Sequence, residues 1–142
     1  MKIALWQTAP QHDPQQALDA LDHAARRARA EGADLILVPT ANMKPFDSVA
    51  TRLAPARAEE NAAHLAYANY IGAEGEFTYG GLSCICGPDG SDLARASEDD
   101  PDILIADLSH RRLASCRKLL NHLADRRPDL CESLNVKGPP DE

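Results

Sequence analysis

Several things are scarce in this chain, and each scarcity excludes a class of protein. No apolar run approaches the roughly 20 residues that cross a bilayer, so no membrane span is expected. Lys and Arg number 15 against 22 Asp and Glu, a formal net charge of -7. An acidic surface repels phosphate backbones and anionic lipid, which argues against nucleic acid and membrane surfaces as partners. Four cysteines spread over 142 residues do not make a disulfide scaffold. The first residues, Met1-Lys2-Ile3-Ala4-Leu5, enter an apolar segment that Gln7 interrupts, with no small-residue cleavage pattern. A cytoplasmic protein is therefore expected. No glycine-rich phosphate loop follows either early strand, and no two histidines flank a carboxylate at helical spacing. Neither a cofactor nor a metal ion is called for.

What is present is an ordinary globular composition, 44% hydrophobic and 26% charged. A chain this long makes one domain and buries roughly 70% of its unfolded surface. Residues 2–8 carry Ile3-Ala4-Leu5-Trp6, a short apolar run suited to a strand covered on both faces. Asp13 can cap a helix that Pro14 begins, and Leu18, Leu21, Ala25 and Ala28 line one side of it. Arg26, Arg27 and Arg29 crowd its last turn, and Gly32 stops it. Leu35-Ile36-Leu37-Val38 then reads as a buried strand closed by Pro39. Strand, helix and strand of this length predict a parallel βαβ unit.

Beyond Pro39 the pattern loosens. Residues 40–46 lie past the carboxyl end of the second strand, where open α/β sheets place ligands. Pro55 can start a short helix with Ala58, Ala62 and Leu65 on one face. Tyr67 and Tyr70 mark a possible strand, and Gly72, Gly75, Gly80 and Gly81 read as loop punctuation. Residues 80–86 are β-leaning, Gly87-Pro88-Asp89-Gly90 is a turn, and residues 93–96 return antiparallel. Ile103-Leu104-Ile105-Ala106 predicts one more buried strand. Ser109 caps a last helix with Leu113, Cys116, Leu120 and Leu123 inward, and Pro128 ends it. Residues 132–142 read as a disordered tail behind a single domain of residues 1–131.

The reactive residues form no visible constellation. Cys84 and Cys86, on either side of Ile85, are assigned to opposite faces of their strand, which suits neither a zinc knuckle nor a redox pair. Cys116 is expected in the core, and Cys131 has no evident partner. His12, His23, His64, His110 and His122 are scattered, four of them on predicted helices or caps as solvated side chains. The charges of residues 26–29 and 111–118 read as solvated helix faces.

The wording of the chain goes further than its chemistry. Residues 1–37 resemble the opening of the nitrilase superfamily, the carbon–nitrogen hydrolases: a strand ending Gln7-Thr8, an Ala- and Arg-rich helix, and Gly32-Ala33-Asp34-Leu35. From Gly32 through Pro39-Thr40-Ala41-Asn42-Met43 the chain also resembles a later part of that family. So do Ala56-Arg57-Ala58-Glu59-Glu60-Asn61, Ala66-Tyr67-Ala68-Asn69, residues 81–90 and residues 123–130. The resemblance implies an α-β-β-α sandwich in truncated form, with an N-terminal parallel βαβ unit and a C-terminal hairpin, strand and helix.

It also implies hydrolysis of a small amide or nitrile by a Glu base, a charge-stabilising Lys and a nucleophilic Cys. Here the closing Pro39 is followed by Thr40, not Glu, and Lys44 does not match the family lysine. Cys84 and Cys86 match a structural strand, not the nucleophile. The segment bearing all three catalytic groups is missing, and residues 32–40 are the expected seam of an internal deletion. No catalytic residue is assigned. Thr40, Ala41 and Asn42 are pocket candidates for a small amide or nitrile, and Glu60 and Asn61 are candidates for subunit contact. Uncovered strand edges predict a homo-oligomer or association with a related subunit. The readings carried forward are a hydrolase scaffold without its triad and, from another class, a non-catalytic interaction or regulatory module. An enzyme of unrelated chemistry ranks last.

Overall fold

The computed structural model describes residues 31–120 together with residues 3–4, 23, 27 and 28. Arg27 and Ala28 are helical, and the helix ends as expected: Gly32 takes the left-handed conformation (φ 81°). The Ala33 amide then reaches back to the Ala28 carbonyl at 2.9 Å, and only glycine adopts this turn without strain. The rest of the predicted first helix lies outside the described residues.

The turn delivers the chain into β2 (Leu35–Pro39), which pairs in parallel with β1 (Ile3–Ala4), Ile3 opposite Leu35. On its other side β2 pairs in parallel with β3 (His64–Ala68), from Leu35 opposite His64 to Pro39 opposite Ala68. The parallel pairing agrees with the βαβ expectation. From β3 onward the sheet turns antiparallel, through β6 (Cys84–Cys86) to β7 (Asp92–Arg95), in the order β1-β2-β3-β6-β7. The Gly87–Gly90 turn and the antiparallel return stand where they were expected, with a bulge between Ile85 and Cys86.

One face of this sheet is closed by alanines. A π-helical turn (Val49–Leu53) runs into α1 (Ala54–Glu60), with Pro55 in its first turn. Ala50, Ala54 and Ala58 recur at intervals of four, so their methyls form a stripe. They pack on Leu65, Tyr67, Cys84 and Cys86, with Ile36 and Val38 at the margin. Ala62 and Leu65 do not extend this helix face, contrary to expectation. Asn61 caps the helix by donating to the Arg57 carbonyl at 2.9 Å, and Ala62 swings to φ 41°. Leu65 joins the same core from β3 instead.

The opposite face is covered unevenly, with Leu35 and His64 buried at one end. Leu37, Ala66, Ile85 and Ala94 stand in register across four strands, and Leu37 remains 38% exposed. Strand β2 is thus not buried on both sides. Helix α2 (His110–Leu119) is held to the molecule by arginines. The Ser109 hydroxyl accepts from the Arg112 amide as the expected N-cap, and Leu113 and Cys116 are buried. This helix ends at Leu119, with Leu120 as C-cap, before the expected stop at Pro128; Leu123, Pro128 and the predicted tail lie outside the described residues.

Two further corrections concern strands. Residues 103–106 form no strand: Ile103 and Ile105 are 84% and 85% exposed, and no described strand pairs with them. An apolar β-pattern needs a neighbour's hydrogen bonds to become a strand. Conversely, a separate hairpin of β4 (Ile71–Glu74) and β5 (Phe77–Gly80) occupies the region read as loop. Gly72 and Gly80 lie within its strands, and Gly75 (φ 60°) makes its turn.

Candidate functional site

The parallel strands β2 and β3 end side by side, at Pro39 and Ala68, and their chains then diverge. The Thr40 amide still bonds the Ala68 carbonyl at 2.8 Å, which holds the two ends together. Beyond it opens a depression of about 430 Å³ lined by Pro39, Thr40, Ala68, Asn69 and Tyr70. This is the position at which open α/β sheets place ligands.

Of the three pocket candidates, the structure places Thr40 in this wall. Ala41 is exposed beside it. Asn42 is engaged in holding the loop: its amide donates to Asn69 Oδ1 at 2.7 Å and its side chain donates to the Phe46 carbonyl at 2.8 Å. Asn69 completes the knot by donating from Nδ2 to the carbonyls of Asn42 and Gly81, at 3.1 and 3.0 Å. Asn69 and Tyr70 were missed as lining residues, because strand pairing rather than sequence spacing brings them beside Thr40. The ring of Tyr70 packs at a tilt on Tyr79, with centroids 5.4 Å apart.

The lysine of this loop is ion-paired. Lys44 Nζ lies 3.2 Å from Glu98 and 3.2 Å from Asp99, and the hydrogen bond to Glu98 raises its pKa. No thiol joins this pair among the described hydrogen bonds and ion pairs. Covalent amide hydrolysis needs a nucleophile, a base and oxyanion donors in mutual reach. The lining of the depression has neither carboxylate, ammonium nor thiol.

The cysteines stand elsewhere, and two of them are not as expected. Cys84 and Cys86 point to the same face, as the two-residue period of a strand requires, with their sulfurs 3.8 Å apart and wholly buried. The assignment to opposite faces was an error of that period. Asp92 and Arg95 pair beside them, Asp92 Oδ2 accepting from Arg95 Nε at 2.6 Å. Cys116 is in the core as expected, and Cys131 lies outside the described residues.

The histidines and arginines also depart from a solvated reading. His23 and His110 are exposed, but His64 sits on β3 and is 2% exposed, with no hydrogen-bond partner for either ring nitrogen among the described residues. Burial lowers its pKa, and Arg112 pushes the same way. His12 and His122 are outside the described residues. Arg112 pairs with Asp89 at 2.6 Å, and Arg117 pairs with Asp34, so α2 does not carry its arginines as a purely solvated face. No group of three or more His, Cys, Asp or Glu suited to a metal ion occurs among the described residues. No described helix is long and apolar enough to cross a membrane.

Of the contact candidates, Glu60 is exposed and pairs with Arg57 on its own helix. Asn61 is 7% exposed, its side chain spent on the helix cap.

Comparison with known proteins gives this arrangement a context. Residues 24–118 match the carbon–nitrogen hydrolase family. A Pseudomonas protegens protein described as "Hydrolase in pqqF 5'region" is 47% identical over 113 residues, covering 80% of this chain and 39% of that protein. N-carbamoylputrescine amidase of Solanum tuberosum is 31% identical over 126 residues, covering 78% of this chain and 42% of the enzyme. Among solved structures, the NitN amidase from Nesterenkonia sp. AN1 superposes with a TM-score of 0.65 at 38% identity, covering 79% of this chain and 40% of that one. Variants of the same amidase are known in complex with acrylamide (TM-score 0.67) and butyramide (TM-score 0.58). The chain therefore spans about two fifths of the length of these relatives.

Proposed function

The chain belongs to the carbon–nitrogen hydrolase family, and on that premise we propose that it is a non-hydrolysing form of the amidase scaffold which keeps a small-amide depression. The observation that carries this reading is the depression at the ends of β2 and β3. It has the position of a ligand site and a size suited to a small molecule, yet its walls offer only Pro39, Thr40, Ala68, Asn69 and Tyr70. None of these side chains is an activated nucleophile or a base at neutral pH. Thr40 and Tyr70 bring hydroxyls suited to an amide, and substitution of Thr40, Ala41 or Asn42 should alter binding. The seam at residues 32–40 joins the strand that makes this wall to the segment that resembles the later half of the family. Cytoplasmic residence is part of the same reading.

The experiment is a pair of measurements on the full chain. Ammonia release from acrylamide and butyramide should stay at the uncatalysed level. Either amide at millimolar concentration should raise the melting temperature, and Thr40→Trp should abolish that rise by filling the depression. Ammonia release that saturates with amide concentration and disappears in Cys84→Ala or Cys86→Ala would overturn the non-hydrolysing reading.

A second reading, an interaction module, is favoured by a different observation. Leu37, Ile103 and Ile105 are exposed, and Ala66, Ile85 and Ala94, in register with Leu37, are only partly buried. The occupant this supports is a second copy of the chain, which carries the same face, or a related subunit of full length. Glu60, exposed on α1, remains a candidate contact; Asn61, turned to its cap, would contribute through the helix end it holds.

A further inference from the structure

We propose that Cys84 and Cys86 form a chelating dithiol site for a thiophilic centre, such as a trivalent arsenical, that binds two sulfurs on one atom. The two side chains leave the same face of β6, and their sulfurs are 3.8 Å apart. An atom 2.3 Å from each sulfur, an ordinary metal–thiolate length, would subtend about 110° between them. That is the angle of a tetrahedral or pyramidal centre. A disulfide is a poorer fit, since the sulfurs would have to close from 3.8 Å to about 2.05 Å on neighbouring positions of one strand.

The surroundings favour deprotonation of Cys84 over Cys86. Cys84 Sγ lies 3.9 Å from the Ala50 carbonyl, and Arg95 donates to that same carbonyl at 3.1 Å, which brings a guanidinium beside the thiol. Cys86 lies 3.9 Å from Asp92 Oδ1, the partner of Arg95. The hydrogen bond from Cys86 holds the Cys84 pKa down, and Cys86 is pushed up in turn. One thiol is thus disposed to attack first and its neighbour to follow.

The pair is covered by the π-turn and α1. Ala50, Ala54 and Ala58 are the buried side chains of the π-turn and α1, and Val49 packs partly buried against the same core. Lifting that segment also uncovers Leu65 and Tyr67, so a small reagent reaches the fully buried sulfurs through a local opening of the π-turn and α1.

Phenylarsine oxide is a direct probe, because its As=O adds two thiols and releases one water, forming two As–S bonds with no change of oxidation state. Native full-length protein, treated with one equivalent and examined by intact mass spectrometry, should gain one phenylarsino group. Cys116→Ser and Cys131→Ser should gain it equally, and Cys84→Ser and Cys86→Ser should not. The double variant Cys116→Ser/Cys131→Ser, with Cys84 and Cys86 as its remaining thiols, keeps the test decisive if single core variants misfold: it should take up one equivalent without denaturant. Uptake only in urea, or uptake that survives loss of Cys84, would overturn the proposal. These outcomes are independent of amide binding.

Discussion

Arg117 and Asp34 join the last described helix to the beginning of β2, their charged atoms 2.9 Å apart and both side chains mostly buried. The same guanidinium donates to the carbonyls of Ala33 at 2.8 Å and Ala62 at 3.2 Å. One side chain therefore ties α2 to the turn before β2 and to the turn before β3. Removing it leaves a carboxylate and two carbonyls short of a donor, so Arg117→Ala should destabilise the fold by about 2 kcal/mol. Arg117→Lys should recover only part of this, because an ammonium cannot reproduce the fork. Urea midpoints of the three proteins at neutral pH check the order; a neutral Arg117→Ala would contradict it.

His64 predicts a pH dependence. Its imidazole is buried on β3, with the backbones of Cys86 and Ser109 beside it, Arg112 as the like charge and Asp34 as the opposing one. Burial is the largest cause of its lowered pKa, ahead of Arg112. Below the ordinary value of 6.5 the unfolded chain takes up a proton that the folded one refuses. Stability from this residue is therefore complete above that pH and falls as the pH drops through and below it. The slope is at most one proton, about 1.4 kcal/mol per pH unit. Urea midpoints between pH 7.5 and 5 should decline more steeply in the native protein than in His64→Gln, and parallel declines would refute the assignment.

The same helix offers a smaller test at its start. The Ser109 hydroxyl accepts from the Arg112 amide at 3.2 Å. Ser109→Ala leaves that amide without its cap and should cost about 1 kcal/mol, with Ser109→Asp close to neutral. An unchanged midpoint in Ser109→Ala would mean that the hydroxyl contributes nothing to α2.

What could be read without coordinates was whatever local chemistry decides. Gly32 stops its helix because the chain there needs a positive φ, and Ser109 begins α2 because it can accept an amide. The turn at residues 87–90 and the parallel β2 follow from the same local rules. Tertiary context decided the rest. Residues 103–106 have the composition of a strand, but a strand also needs a neighbour, which the described residues do not supply. The β4–β5 hairpin turns through Gly75-Glu76 instead of an Asn-Gly or Asp-Gly pair, so its signal was faint. In the depression, Thr40 was legible from its place after β2, whereas Asn69 and Tyr70 enter through the register of β2 on β3.

Gly81 illustrates a constraint that two neighbouring structures impose together. Its φ is 55°, and a Cβ placed on it would meet the Glu98 carbonyl oxygen at 2.2 Å and carbon at 2.7 Å. Gly75 has a similar φ of 60° with nothing within 4 Å. Gly75→Ala should therefore cost only the conformational strain, about 1 kcal/mol. Gly81→Ala adds a collision with backbone and should cost at least about 3 kcal/mol, displacing the residue 98–99 carboxylates from Lys44. Equal midpoints for the two variants would show that the residue 97–99 loop yields freely.

Self-association is the consequence of the uncovered face that is easiest to measure. Ile103 and Ile105 have 84% and 85% of their surface exposed, and Leu37 on β2 is 38% exposed. Apolar surface of this kind is stabilised when a second molecule covers it. The full chain should elute with a light-scattering mass above that of one chain. The double variant Ile103→Asp/Ile105→Asp should shift it toward a single chain, because two carboxylates cannot be buried without partners. Thermal stability of the monomeric variant should then lose its dependence on protein concentration, whereas that of the native chain should rise with concentration. A native chain of single mass over the micromolar range would remove the case for an interaction module.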